Sequence, residues 1–202
     1  MLSLYGHVTS RAARCLWALE EIGLGYKHIP THQFNGETRV PEFLAINPNG
    51  HVPVLVDGGL KLFESMAINL YLAAHYGDSL WPSGVADQGR TWQWSFWALT
   101  ELEPHLVQMM GEVIYKQPNE ADAERIEDAK RQMDRPLKVL EAHLSNRQYL
   151  LSDYFSIADL NVASVLGIAA LMQFGLSGYS NVDRWLSACW TRQANLRVDP
   201  QL

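Results

Sequence analysis

Three short stretches of this chain offer chemistry beyond packing: Ser10 in G-H-V-T-S-R, Val52-Pro53 in N-P-N-G-H-V-P-V-L-V, and Glu64-Ser65 in K-L-F-E-S. Ser10 stands just before an amphipathic run, at the N-cap position where serine is favoured. A hydroxyl accepts through its lone pairs and still has one proton to give. Ser10 can therefore cap a helix and donate to an anion. Val52-Pro53 sits at the mouth of the apolar run Val54-Leu55-Val56. Proline has no N–H for a sheet and belongs at a strand's first position or in a bend. With that bond cis, the Val52 backbone faces outward and its N–H and C=O can pair with an extended peptide, as a strand edge does. Glu64-Ser65 opens a helix, and the unpaired N–H groups and positive dipole end of a helix start favour a carboxylate. Each stretch alone also reads as plain structure: a cap, a proline bend, a helix start. Their order and spacing point to a ligand with peptide backbone at one end and an acid group at the other.

These residues need elements to hold them. Leu2 to Tyr5 reads as a strand and Gly6 to Ser10 as a turn. From Arg11 to Ile22, residues Ala12, Cys15, Leu16, Leu19 and Ile22 recur on one helical face, with Gly23 as the stop. Tyr26 to Pro30 is a second strand, which the βαβ order makes parallel to the first. A second helix is expected from about Thr38 to Ile46, ended by Asn47-Pro48. Asp57-Gly58-Gly59 then turns Val54–Val56 into Leu60–Phe63, a hairpin, and a helix runs from the Glu64-Ser65 start to Tyr76.

The remainder is helical. Gly77 to Gln88 reads as a linker, rich in Gly, Ser, Asp and Pro. Gln88 to Tyr115 is a long helix or broken pair, with Trp92, Phe96, Leu99 and Leu106 along one side and a bend at Glu103-Pro104. Asn119 to Leu144 is a second long helix with Ile126, Met133, Leu137 and Leu140 on its apolar stripe, and Pro136 threatens a kink. Ser156-Ile-Ala-Asp159 is a capping box with Phe155 and Leu160 at the staple positions. The helix behind it, Ile157 to Phe174, is apolar nearly all round and so should be buried. Val182 to Trp190 is a last helix before a polar tail. The boundaries are 1–77 for an α+β domain, 78–88 for a linker and 89–202 for an all-α domain.

Composition narrows the function. A net charge of −6, with 16 scattered Lys and Arg in 202 residues, argues against nucleic acid. Cys15 and Cys189 form neither a disulfide framework nor a metal motif, which fits a reducing cytoplasm. No window reaches the about 18 apolar residues of a membrane span, and the N-terminus lacks the basic start and apolar run of a signal peptide. His28 and His32 flank Pro30, which removes the shared helical face that i,i+4 ligation needs; no metal is expected. Cys15 lies well inside its helix beside Leu16 and Leu19 and reads as a buried, inert thiol.

The stretch from Asn47 to Ser65, with Y-G-H-V-T-S-R-A-A-R-C-L-W-A-L-E-E before it and S-I-A-D-L at 156–160, resembles the cytosolic glutathione S-transferases of the bacterial, serine type. The resemblance implies a thioredoxin-like βαβ-α-ββα domain followed by a helical one that the S-I-A-D-L motif nucleates. It implies that Pro53 is cis, that Val52 pairs with the cysteinyl backbone of glutathione, and that Glu64 and Ser65 hold its γ-glutamyl carboxylate and amine. His51 stands where many members place a Lys or Gln that reaches the glycyl carboxylate. Ser10 becomes the hydroxyl that holds the glutathione sulfur as thiolate, with Thr9 and Tyr5 as alternatives.

A thiol of pKa about 8.5 must ionise to attack, and lowering it by about two units needs about 2.7 kcal/mol. A helix N-terminus supplies roughly 0.3–2 kcal/mol and a charged hydrogen bond roughly 1.5–3 kcal/mol. Glutathione is then a consumed co-substrate, with no cofactor, and a small electrophile is the second substrate. Its pocket should lie between the domains, where the helical domain offers Trp97, Met109, Met110 and Tyr115 as candidate walls. The family further implies a cytoplasmic homodimer, with its dyad near the Ser65 helix and the first long helix. The alternatives are a glutathione-dependent peroxidase, isomerase or dehalogenase, or a non-catalytic glutathione- or ligand-binding module of the same fold.

Overall fold

The first strand is short because Gly6 ends it. β1 (Ser3–Tyr5), α1 (Ala12–Ile22) and β2 (Lys27–Ile29) form the βαβ unit, and β1 lies parallel to β2 with Leu4 opposite His28. β3 (Val54–Asp57) adds antiparallel to β1 with Leu55 opposite Leu4, and β4 (Leu60–Phe63) adds antiparallel to β3 with Leu62 opposite Leu55. The sheet order is β2-β1-β3-β4. Gly58, at φ +56°, supplies the left-handed residue of the two-residue hairpin turn. The computed structural model describes residues 1–172 and 174–198.

α1 buries Ala12, Cys15, Leu16 and Leu19, as its period requires, while Ile22 is half-buried. Gly23, left-handed at φ 74°, stops it and donates to the Leu19 carbonyl. The single helix expected over 38–46 is instead a 3-10 turn (Glu37–Arg39) and one helical turn, α2 (Pro41–Leu44). Val40 between them is extended, because a following proline disfavours helical backbone. α3 (Ser65–Tyr76) follows β4 directly.

The chain divides inside the segment read as a linker, between Pro82 and Ser83. Residues 83–190 form one unit; residues 1–82 form the other, together with the described residues 191–198. The polar tail thus departs from the helical domain to which its position in the sequence assigned it. α9 (Gln193–Val198) packs on α1. The Arg192 guanidinium grips the Glu21 carboxylate with two bonds of 2.7 Å, and Arg197 Nε donates to Glu20 at 2.7 Å. Charge partners 171 residues apart decide this docking, and local periodicity does not carry that information. Residues 199–202, which the expected domain included, lie outside the described residues.

In the helical unit, α4 (Val85–Trp97) passes through a π-helical turn (Ala98–Leu102) into α5 (Glu103–Val113), so the bend expected at Glu103-Pro104 begins one turn earlier. The face expected for this segment is corrected at two positions. Trp92 and Phe96 are 47% and 59% exposed, whereas Thr91, Trp94, Ser95, Ala98 and Leu102 are buried. Two polar residues occupy the inner face because their hydroxyls are satisfied there: Ser95 donates to the Thr91 carbonyl at 2.7 Å and accepts from Asn161 Nδ2 at 2.9 Å. α6 (Ala123–Leu144) starts at Asp122, whose carboxylate accepts from the N–H groups of Glu124 and Arg125, and it runs through Pro136. α7 (Ile157–Leu171) is buried nearly all round, and α8 (Ser180–Trp190) closes the unit.

The capping box at α7 is fully formed and extends further than the sequence indicates. Asp159, wholly buried, accepts from Ser156 N and Oγ (3.0 and 2.8 Å), from Leu150 N (2.8 Å) and from Trp185 Nε1 (2.9 Å). One carboxylate thereby ties the preceding loop and α8 to the start of α7. An amide in its place has one acceptor oxygen and presents an NH₂ to the remaining donors. Asp159→Asn is expected to destabilise the chain by about 2–4 kcal/mol, one orphaned donor plus the loss of charge assistance. The urea unfolding midpoint measures this, and an unchanged midpoint refutes the anchoring role.

Candidate active site

Gly6 lies where the first turn of α1 and the Val52-Pro53 bend come closest. Its φ is +139°, its N–H donates to the Ile29 carbonyl at 3.0 Å, and its own carbonyl faces His28 Nε2 at 2.8 Å. A Cβ placed on it would stand 2.5 Å from Ala12 Cβ, 3.2 Å from Val52 Cβ and 3.6 Å from Pro53 Cα. The first turn of α1 and the 52–53 bend therefore meet across a glycine.

The Val52-Pro53 bond is cis. The Val52 side chain is buried in a cluster with Phe43 and Val54, against Tyr5 and Ile46. Its main-chain N–H and C=O have no hydrogen-bond partner among the described residues. The bend is held from behind by Asn47, 1% exposed: Asn47 Nδ2 donates to the His51 carbonyl at 2.7 Å, and Asn47 Oδ1 accepts from Asn49 N at 3.1 Å. Sequence reading used Asn47 only as a helix stop. The signal for its second task is the N-P-N-G string, since Asn forms such side-chain turns two residues on. The His51 side chain is exposed.

Glu64 is the one non-glycine residue of positive φ among the described residues (φ 71°). A non-glycine residue there carries roughly 1–3 kcal/mol of strain, which in folded proteins concentrates at ligand sites. Its side chain is exposed, and it occupies the cap position of α3, with Ser65 as the first helical residue. The N–H groups of residues 65, 66 and 67 have no acceptor among the described residues, which is the anion-favouring helix start. Buried Arg14 donates to Ser65 Oγ at 3.4 Å, and Cys15 Sγ lies 3.5 Å from the Ser65 carbonyl. α1 and the start of α3 are thus in direct contact. Arg14 escaped sequence reading, although a second arginine in S-R-A-A-R on a buried helix face was visible.

Ser10 is half-buried and stands one residue ahead of the cap position, which Arg11 occupies. It still caps: Ser10 Oγ accepts from Ala12 N at 3.1 Å and donates to the His7 carbonyl at 2.7 Å. To meet an anion the hydroxyl must leave that carbonyl. The exchange gives up a neutral bond of about 0.5–1.5 kcal/mol for a charged one of roughly 1.5–3 kcal/mol, a net preference for the anion of about 1–2 kcal/mol. Thr9 is exposed, with Oγ1 2.9 Å from His7 Nδ1. Tyr5 pairs within the sheet and sets its ring edge-on to Phe43. Burial pushes the Cys15 thiol up to about 12, so it stays protonated near neutrality. His28 is engaged with Gly6, and His32 stacks on His7 at 3.9 Å.

Two family models match the chain. The one described as glutathione S-transferase, N-terminal domain, covers residues 1–74, and the one described as glutathione S-transferase, C-terminal domain, covers 105–193. Glutathione S-transferase F10 of Arabidopsis thaliana is 33% identical over 165 residues, 79% of this chain and 77% of that protein. Glutathione S-transferase GstB of Escherichia coli K12 is 33% identical over 205 residues, 98% of this chain and 97% of that one. Among solved structures, the theta class glutathione S-transferase of Xanthomonas axonopodis pv. citri with glutathione bound superposes with a TM-score of 0.90 at 29% identity, over 97% of this chain and 95% of the other. Glutathione S-transferase-I bound with lactoylglutathione gives 0.90 at 30% identity, over 100% and 99%.

Two measurements probe the geometry. Gly6→Ala forces apart α1 and the 52–53 bend, so equilibrium dialysis is expected to show glutathione binding lost, while the far-ultraviolet spectrum reports whether the helices persist. Cys15 and Cys189 are buried thiols outside any disulfide; a water-soluble aromatic disulfide is expected to react with neither until the chain is unfolded, and then with both.

Proposed function

Because the chain belongs to the glutathione S-transferase family, we propose that it is a serine-type transferase in which Ser10 holds the glutathione sulfur as thiolate for attack on a small, largely apolar electrophile. The observation that carries this reading is Val52, its side chain held in the core and both main-chain groups unpaired. With the side chain anchored in the core, an unpaired main-chain N–H and C=O form an open strand edge that an extended peptide can pair with. The cysteinyl backbone of glutathione offers one acceptor and one donor in the extended form that such an edge takes. The relatives' complexes with glutathione and lactoylglutathione support the same ligand class.

The remaining roles follow from charge and reach. The γ-glutamyl carboxylate lies at the start of α3, where Ser65 and the open N–H groups receive it and Glu64 faces the amine. The buried Arg14 guanidinium behind Ser65 adds positive charge on the carboxylate side. His51 faces the glycyl carboxylate. At the sulfur, ionisation releases a proton to solvent, and Ser10 turns its hydroxyl from the His7 carbonyl to the anion. The thiolate pair then forms the C–S bond as the leaving group departs with its own pair, or as a π pair shifts in an addition. Glutathione is consumed as co-substrate, and the chain needs no prosthetic group for this step. A cytoplasmic homodimer completes the reading. Trp92 and Phe96, exposed one helical turn apart on α4, give a second copy an apolar face to cover.

Ultraviolet absorbance of the bound thiolate across pH tests the role of Ser10. Wild type is expected to show a thiol pKa well below the free value, and Ser10→Ala to raise it by about one unit, with kcat/KM falling about tenfold. Glutathione that binds with a pKa indifferent to Ser10→Ala sinks the serine reading; failure to bind glutathione sinks the transferase reading.

A further inference from the structure

Both hydroxyls ahead of α1 give their protons to a single residue. Thr9 N–H points at His7 Nδ1 at 3.3 Å. A main-chain N–H can only donate, so in this contact Nδ1 is the acceptor. Thr9 Oγ1 lies 2.9 Å from the same Nδ1, so the Thr9 hydroxyl must be the donor in that pair. Ser10 gives its proton to the His7 main-chain carbonyl at 2.7 Å.

The two acceptors are unequal. The His7 carbonyl also receives Ser10 N–H at 3.0 Å and stays satisfied when the Ser10 hydroxyl swings away. The imidazole nitrogen is more basic than an amide oxygen, and its other donor, at 3.3 Å, is long. The ring is also held in place. It stacks on His32 at 3.9 Å and 28°, and the His32 N–H is fixed to Glu37 Oε2 at 2.8 Å.

We propose that His7 is a positioning residue that withholds the Thr9 proton and leaves Ser10 as the hydroxyl free to meet the sulfur. This rests on the reading that the glutathione sulfur lies at the start of α1. It settles the choice between two adjacent hydroxyls through a residue that is neither. Removing the imidazole acceptor releases Thr9 as a second donor.

The experiment titrates bound glutathione thiolate in wild type, Ser10→Ala, Ser10→Ala/His7→Phe, Ser10→Ala/His7→Asn and Ser10→Ala/His7→Phe/Thr9→Val. Phe keeps a ring against His32 without an acceptor, whereas Asn sets an amide group on the same Cγ where Nδ1 stood. Ser10→Ala raises the pKa. Adding His7→Phe is expected to lower it again by up to about one unit, His7→Asn to give no recovery, and Thr9→Val to abolish the recovery. If Ser10→Ala raises the pKa and His7→Phe recovers nothing, the withholding role is overturned while the role of Ser10 stands. If Ser10→Ala leaves the pKa unmoved, both fail together. Should the His7→Phe chains not fold, Thr9→Val alone decides: an unchanged pKa supports the proposal, and a rise matching that of Ser10→Ala overturns it.

Discussion

Beside Gly6 the end of β1, the first turn of α1 and the 52–53 bend approach so closely that a methyl group would stand 2.5 Å from Ala12 Cβ. This steric constraint underlies the whole of the first unit. With no Cβ at Gly6, the first turn of α1 can approach the bend closely. The rest of the region keeps the three segments in that relation. Asn47 ties down the loop before the bend from inside, the Val52 side chain is anchored with Phe43 and Val54, and Arg14 and Cys15 join α1 to the start of α3. α1 thus meets the bend beside Gly6 and the start of α3 through Arg14 and Cys15.

Hydrogen-bond economy explains how such a site favours an anion without a metal or a dedicated base. The Ser10 proton already has an acceptor in the His7 carbonyl, so a neutral thiol gains little by competing for it. An anion gains the difference between a charged and a neutral bond, about 1–2 kcal/mol. For the sulfur that we propose at this place, that difference and the helix end together come close to the about 2.7 kcal/mol of a two-unit shift. The same logic keeps Cys15 silent: it lies in the same helix, but burial without a matching donor favours its neutral form.

The helical unit solves a different problem, because several of its joints are polar. Asp159 gathers four donors. Ser95 joins Asn161 to the α4 backbone. Glu112, buried near the end of α5, takes Lys116, Arg125 and the Asp122 N–H; its hydrogen bonds to Lys116 and to that N–H hold its carboxyl below the usual range. Such groups are costly if left unpaired and neutral to favourable once satisfied. They fix which face of each helix points inward more strictly than apolar contact alone.

Local chemistry was legible in the sequence. The βαβ start, the hairpin at Asp57-Gly58-Gly59, the α7 capping box and the buried character of α7 all rest on neighbours within a few positions, where periodicity, caps and turn residues act. The candidate residues Ser10, Val52-Pro53 and Glu64-Ser65 were legible for the same reason, since each is tied to an element boundary. Tertiary contact decided what spacing cannot carry. Trp92 and Phe96 face outward because Thr91 and Ser95 find partners in the core. The 191–198 segment leaves the helical unit because Glu20 and Glu21 on α1 accept its arginines. Arg14 and Gly6 acquire their roles only when distant segments come within a few ångströms of one another, and no short window of the sequence contains both Arg14 and Ser65, or both Gly6 and Val52.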